Sequence, residues 1–355
     1  MIPAIEKLVT AIQSRWHAAN FDEQQFPVIA GEELGESRLS EHLDIAGLVR
    51  WFVHETGAAP QINFEGTFGE PPLTLAATSR FYVEALFWLD GTTSIHQHQF
   101  SGAFSVLCGS SIHTRYRFTR SQRVNASTLV GAVAIDGVEF LRPGQVRPIL
   151  SGDGTIHSLF HLERPTVSIV VRTLVDHEAG PQFDYWPPSI ARAPYVLDTR
   201  LTRQLQLLRT LCKIEATDRF QHARELLERS DYASALMVVD AILATEPAAW
   251  PKILELIELV RARHPTIDCD LASVFEVRRR AYFLAAQRRQ VRDPDLRLFL
   301  AMLLVLPTRA ACFEFLRTYA PDRDPERLLA SWIDRLAAQE TTAEQRTTLF
   351  RPLTQ

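Results

Sequence analysis

The sequence predicts an antiparallel β structure, a barrel or a sandwich, between N-terminal helices and a C-terminal all-helical region. Helical periodicity marks the first sixty residues, and short β-rich segments separated by glycines follow. Leucine-, alanine- and arginine-rich helical sequence then continues to the end of the chain. The expected domains are an N-terminal helical extension at 1–60, a β barrel at 61–195 and an all-helical domain at 196–355. A length of 355 residues suits this multidomain reading.

The N-terminal segment is predicted to be helical at both ends. Ile5, Leu8, Val9 and Ile12 recur at helical spacing, so they share one helix face. A second helix is expected to begin at Ser40 and to end before Gly57 and Pro60, because glycine and proline follow its apolar run.

The central region carries short β-rich segments with no helical pattern between them. Strands at this spacing are typical of an antiparallel barrel or sandwich. The predicted strands are Phe81–Leu89, Phe104–Leu107, Ile112–Phe118, Leu129–Ile135, Val138–Leu141, His157–Leu162 and Thr166–Thr173.

Beyond the β-rich region the pattern changes to helix. The proline-rich segment Tyr185–Pro188 is interpreted as a linker. Asp293 and Asp324 each precede a proline, which predicts helix N-caps followed by proline at the first helical position. The sequence leaves open whether this region lids a pocket, forms a homodimer or docks a partner.

Composition and charge exclude several classes of protein. The hydrophobic fraction of 46% and the charged fraction of 23% are those of a globular protein. The net charge of −4 argues against a nucleic-acid-binding protein. The four cysteines form no CxxC pair, which favours neither a zinc ribbon nor a disulfide framework. With no signal-like segment and no apolar run of spanning length, we expect a cytoplasmic protein that binds no membrane.

Two histidines on one predicted strand form half of a metal site. His96 and His98 are two residues apart, so both side chains project from the same face. A third ligand must come from another strand, and His157 is the candidate about sixty residues later. His161 shares its strand parity and is the alternative third ligand.

The residues around these histidines resemble the two signatures of the cupin superfamily. The first signature is represented by Gly91, His96-x-His98, Gly102 where the family has Glu, and Gly109. The second is represented by Gly144, Gly152-Asp153-Gly154 in place of PxG, His157, and His161 in place of Asn. The resemblance covers roughly residues 80–175 and implies a double-stranded β-helix, or jelly-roll, barrel that binds a metal.

Gly102 removes the carboxylate ligand of most metal-binding cupins. The remaining three-histidine set is similar to that of the thiol dioxygenases, the cysteine dioxygenase group. This resemblance implies Fe(II), O₂ and a small thiol or carboxylate substrate, because three neutral ligands leave open positions and a 2+ charge. A carboxylate restored by Gly102→Glu is expected to occupy one open position, provided that the strand tolerates the larger side chain. The Ser-His-Tyr relay of that group is reduced to Ser168, and Arg172 stands at the tyrosine position.

Four further residues are candidates for catalysis. Arg172 and Arg115 are candidate partners for a substrate carboxylate. Tyr82 begins the strand that leads to the metal site, and His161 is a candidate for orienting a ligand. His113, Arg115 and Arg117 share one strand face, which we interpret as solvated, the alternative being a cationic pocket wall that binds a substrate carboxylate. The alternative function is a metal-dependent lyase or isomerase, or a ligand sensor with a helical interaction domain.

Overall fold

The structure is a computed structural model that describes residues 2–54, 59–62, 68–176, 179–194, 199–306 and 308–338. The chain divides into two compact units. The barrel unit comprises Met1–Tyr116 and Asp136–Gln182, and the helical unit comprises Arg117–Ile135 and Phe183–Gln355. The predicted boundary at 195/196 lies outside the described residues and stays a prediction, as do the other domain limits.

Helices begin the chain, as predicted. They are α1 (Pro3–Ala18), α2 (Phe26–Glu36), α3 (Leu39–His42) and α4 (Ile45–His54). Ile5, Leu8 and Ile12 of α1 are buried, which confirms its apolar face. The single helix expected from Ser40 is instead two helices, because Asp44 accepts a hydrogen bond from the Gly47 amide and starts α4 anew.

Eleven strands follow in the described residues. They are β1 (Pro72–Ala77), β2 (Phe81–Trp88), β3 (Ile95–His98), β4 (Gly102–Cys108), β5 (Ser111–Asn125), β6 (Thr128–Leu141), β7 (Val146–Ile149), β8 (Gly152–His161), β9 (Thr166–Thr173), β10 (Asp184–Trp186) and β11 (Ile190–Arg192). One sheet has the order β1-β2-β9-β4-β7, and a six-stranded barrel sheet has the order β10-β11-β6-β5-β8-β3. The predicted fold class, a β barrel with N-terminal helices and a C-terminal helical region, is confirmed.

The five-stranded sheet separates two apolar clusters. On β9, Val167, Ile169 and Val171 belong to the cluster formed with the N-terminal helices. The intervening Ser168, Val170 and Arg172 line a cavity on the opposite face. Since successive strand residues point to opposite faces, both sides of this strand are buried, which explains its nearly continuous apolar sequence.

The helical unit contains eight helices within the described residues. They are α5 (Thr199–Lys213), α6 (Arg219–Leu227), α7 (Tyr232–Thr245), α8 (Trp250–Arg263), α9 (Leu271–Gln290), α10 (Pro294–Val305), α11 (Arg309–Tyr319) and α12 (Pro325–Ala337). Asp293 and Asp324 cap α10 and α12 as predicted, since each carboxylate accepts a hydrogen bond from an amide of the first turn. No helix in the described part of the chain is long and apolar enough to cross a membrane.

The interpretation of Tyr185–Pro188 as a linker is wrong. The segment forms the hairpin of β10 and β11, and β11 pairs with β6. Trp186 and Ile190 are buried in the same core as helices α5 to α9. The two prolines lie in the turn of this hairpin. They do mark an interruption of regular structure, but the interruption is a tight turn and not a linker.

Candidate metal centre

The structure brings together the three histidines predicted as metal ligands. Antiparallel pairing of β3 and β8 places His96 directly opposite His157, and an irregularity in the register follows before His98. All three side chains are buried. One ring nitrogen from each lies within 4.8 Å of the other two. This group contains His157 and not the alternative His161.

Hydrogen bonding fixes which nitrogen of His96 faces the site. Its Nδ1 lies 2.8 Å from the Ser94 carbonyl oxygen, which can only accept a hydrogen bond. The proton is therefore on Nδ1, and Nε2 carries a lone pair. That is the form in which a neutral imidazole binds a metal ion.

His157 contacts histidines at both of its ring nitrogens. Its Nε2 lies 2.9 Å from Nε2 of His98, and its Nδ1 lies 2.9 Å from Nε2 of His113. Burial, followed by neighbouring positive groups, lowers the pKa values of His98 and His157 well below the usual range. Both rings are thus neutral near pH 7, as metal ligands must be.

His113 is buried, so its interpretation as part of a solvated face is wrong. Its Nδ1 lies 2.8 Å from Oε1 of Glu139, and Arg147 holds both oxygens of that carboxylate. Burial acts to raise the pKa of Glu139, but hydrogen bonds from Arg147 and His113 outweigh it and lower the pKa to about 2. The carboxylate is therefore ionised at neutral pH.

A small cavity adjoins the three histidines. Its polar walls are Glu84, Ser168 and Arg172. The apolar walls are Phe68, Leu86, Trp88, Phe100, Phe104, Ile149, Leu159 and Val170. Among the described residues the buried Ser168 hydroxyl has no hydrogen-bond partner, so it can contact a polar group of a ligand.

Arg172 is the predicted catalytic residue that lines this cavity. Its Nη1 lies 3.7 Å from Oε2 of Glu84, and its guanidinium carbon lies 3.6 Å from the Phe100 ring centroid. Burial raises the pKa of Glu84, and the charge of Arg172 opposes this rise. Sequence reasoning missed Glu84, although a glutamate within the apolar segment Phe81–Trp88 is itself a signal of a buried functional group.

The other three predicted catalytic residues lie away from the cavity wall. Tyr82 is buried with its ring 5.1 Å from the Arg172 guanidinium carbon. Arg115 is exposed, although its backbone pairs with His157. His161 stacks on Trp88 at 4.3 Å, and burial lowers its pKa to about 3. Tyr82 and His161 can thus affect the cavity only by positioning Arg172 and Trp88.

Steric crowding explains why residue 102 is a glycine. A Cβ built there would lie 2.0 Å from the Val171 carbonyl oxygen and 3.0 Å from Cα of Arg172. The residue pairs with Arg172 on one side and Ile149 on the other, so backbone surrounds it. The strand therefore does not tolerate a larger side chain, and the condition under which Gly102→Glu is expected to place a carboxylate on the metal is not met.

The donor set suits a divalent transition metal. Three imidazole nitrogens match the preferences of Fe, Zn, Cu and Ni, whereas Mg²⁺ and Ca²⁺ prefer oxygen ligands. His96 already has its Nε2 in the metal-binding form. These residues therefore fit a mononuclear metal ion of that class.

Comparison with known proteins gives only weak matches. No family model matches the sequence, and no curated protein matches it. Among solved structures, a sugar phosphate isomerase of the cupin superfamily from Silicibacter pomeroyi is 19% identical, with a TM-score of 0.22, over 29% of this chain and 59% of that one. A structure of DMSP lyases is 18% identical, with a TM-score of 0.21, over 29% of this chain and 47% of that one.

A hydroquinone 1,2-dioxygenase from Sphingomonas sp. TTNP3 is 9% identical, with a TM-score of 0.24, over 34% of this chain and 84% of that one. The match to the DMSP lyase structure, by contrast, spans only about half the length of that chain. Similarity at this level carries no argument about the activity of this chain. The evidence for function is therefore the geometry of the site itself.

Proposed function

We propose that this chain is a cupin-type metalloenzyme that oxygenates a small anionic substrate at a mononuclear Fe(II) site. The observation that carries the proposal is the convergence of His96, His98 and His157 beside a cavity that also contains Arg172. Three neutral ligands leave coordination positions for a substrate and O₂. When bound, Fe(II) supplies these positions and the redox chemistry of oxygen activation.

The cavity residues suit a substrate with a carboxylate and a thiolate. Arg172 provides a fixed guanidinium for the carboxylate, and its stacking on Phe100 holds the side chain in place. Aromatic walls exclude water and strengthen electrostatic interactions inside the cavity. Ser168 can donate a hydrogen bond to the bound substrate.

Oxygen uptake tests this proposal. Protein loaded anaerobically with Fe(II) should consume O₂ with small thiols that carry a carboxylate, and more slowly with thiols that lack one. Arg172→Met should raise KM for the carboxylate-bearing thiol at least tenfold, whereas Arg120→Met, at an exposed arginine, should not. The absence of uptake with any thiol in the loaded protein would rule out thiol oxygenation.

Glu84 supports a second candidate, a metal-dependent lyase or isomerase. A buried carboxyl beside Arg172 is suited to abstracting a proton from a substrate that the metal polarises. Glu84→Gln separates the two candidates. In a lyase or isomerase it should lower kcat by about 10²- to 10⁴-fold, whereas in the oxygenase the exchange leaves turnover within a few-fold.

The predicted homodimer through the helical domain stays a prediction. Light scattering of the purified chain measures its mass directly. A mass of one chain across the concentrations used in the assays would contradict it.

A further inference from the structure

A chain of hydrogen bonds leads from the metal centre to a carboxylate that is not itself among the three predicted ligands. Nδ1 of His157 contacts Nε2 of His113 at 2.9 Å, and Nδ1 of His113 contacts Glu139 at 2.8 Å. Arg147 anchors both oxygens of Glu139. His113 is only 2% exposed, so this contact is made inside the protein.

For neutral imidazole rings, the contacts of this chain are consistent with one direction of hydrogen bonding. An ionised carboxylate can only accept, so His113 donates from Nδ1 to Glu139. Once Nδ1 of His113 donates to Glu139, the other ring nitrogen, Nε2, is the acceptor of the neutral imidazole. His157 must therefore donate from Nδ1, which leaves the lone pair on its Nε2, the nitrogen that faces His98.

We propose that Glu139 and His113 form a positioning pair behind the metal ligands. Glu139 orients His113, and His113 orients the ligand His157. The pair holds His157 in the tautomer that binds metal through Nε2 and makes that nitrogen more basic. His96 is oriented by a neutral backbone carbonyl, so the ligands are not equivalent. This inference rests on the proposed function, since it requires a metal at the three histidines.

The steric situation at Gly102 agrees with this placement. A carboxylate cannot enter the site there, because backbone atoms occupy the space of any side chain. Glu139 lies on β6 and contacts His113, which in turn contacts the predicted ligand His157. Removal of such outer groups from other metal sites lowers metal affinity by about 10- to 100-fold.

Zinc affinity of the purified chain tests the proposal without any assay of activity. Competition with a chromophoric chelator gives the Kd for Zn²⁺ in wild type, His113→Phe, His113→Gln and Glu139→Gln. We expect His113→Phe to weaken binding by about 10- to 100-fold. His113→Gln should restore part of the loss, because an amide can accept from His157 and donate to Glu139.

Tyr116→Phe is the matched control, since it removes a buried polar group of the same strand, β5, that lies outside the chain of hydrogen bonds. Its Kd should stay within about threefold of wild type. Nitrogen-15 NMR of the zinc-loaded protein should show His157 protonated at Nδ1 and bound to zinc through Nε2. That signature is independent of a general loss of packing.

The outcomes separate the two proposals. Wild type that binds no zinc, nickel or iron overturns the metal centre and hence the proposed function. Wild type that binds zinc, with a Kd for His113→Phe or Glu139→Gln equal to that of Tyr116→Phe, overturns only the role of the pair. If His113→Phe fails to fold, the Kd of Glu139→Gln for Zn²⁺ tests the proposal instead, because the Glu139 side chain is 25% accessible and glutamine has nearly the same shape.

Discussion

Gly102→Ala should destabilise the protein far more than a glycine-to-alanine exchange ordinarily does. The new Cβ would lie 2.0 Å from the Val171 carbonyl oxygen, and real Cβ contacts essentially never fall under 3.0 Å. Strand β9 or β4 must therefore move by at least about 1 Å. A hydrogen bond of ordinary length does not survive that shift.

The cost follows from these contacts. Overpacking in a close-packed interior costs about 1–3 kcal/mol. Each ladder hydrogen bond that breaks adds about 0.5–1.5 kcal/mol. With one or two such bonds lost, we expect the free energy of unfolding to fall by about 1.5–6 kcal/mol, a large part of the 5–15 kcal/mol typical of a native protein.

Urea unfolding followed by far-ultraviolet circular dichroism measures this change. Gly91→Ala is the matched control, because a Cβ there meets no atom within 4 Å and the backbone is not in the left-handed region. The control should change the free energy of unfolding by no more than about 1 kcal/mol. If Gly102→Ala lay within 1 kcal/mol of Gly91→Ala, the steric account of Gly102 would be refuted.

Three further predictions concern other parts of the chain. His161 is buried with its pKa lowered to about 3, so the unfolded state binds an extra proton below about pH 6.5. Between pH 7.5 and 5.5 the free energy of unfolding of wild type should therefore fall by about 1.4 kcal/mol more than that of His161→Asn. Equal falls for the two proteins in urea unfolding would contradict this. Asp240→Ala removes the buried anion that the partly exposed Arg278 guanidinium contacts and should lower the free energy of unfolding in urea by about 1.5–3 kcal/mol, against at most about 1 kcal/mol for the more exposed Asp295→Ala. Limited proteolysis of the full chain should leave 184–193 intact, because this hairpin is largely buried, and mass spectrometry of the fragments would reveal a cut there.

Much of the barrel could be predicted because its strands are short, apolar and separated by glycines. Thr166–Thr173 was predicted with the bounds observed for β9. The predicted break at Gly137 is wrong, since β6 continues through it from Thr128 to Leu141. Local composition marks turns well, but pairing with the neighbouring strand β5 can keep a glycine within a strand.

The metal ligands could be predicted because their spacing is local, whereas the groups behind them depend on long-range pairing. His96 and His98 show their common face within three residues. The contact of His113 with Glu139 joins two neighbouring strands, β5 and β6, and depends on a pairing register that the sequence does not show. Without that register, the sequence of His113, Arg115 and Arg117 at alternate positions predicts a polar strand face exposed to solvent.

Because Trp88 lies in the cavity wall, its fluorescence can report binding in the cavity without any added label. This indole lines the cavity and stacks on His161 with an angle of 7° between the rings. None of the other five tryptophans is among the described residues of the cavity wall. A paramagnetic ion such as Co²⁺ quenches indole emission at short range, so the difference in fluorescence between wild type and Trp88→Phe reports metal and substrate entry directly. Titrations that would otherwise need a chelator or a substrate assay can be read from one side chain.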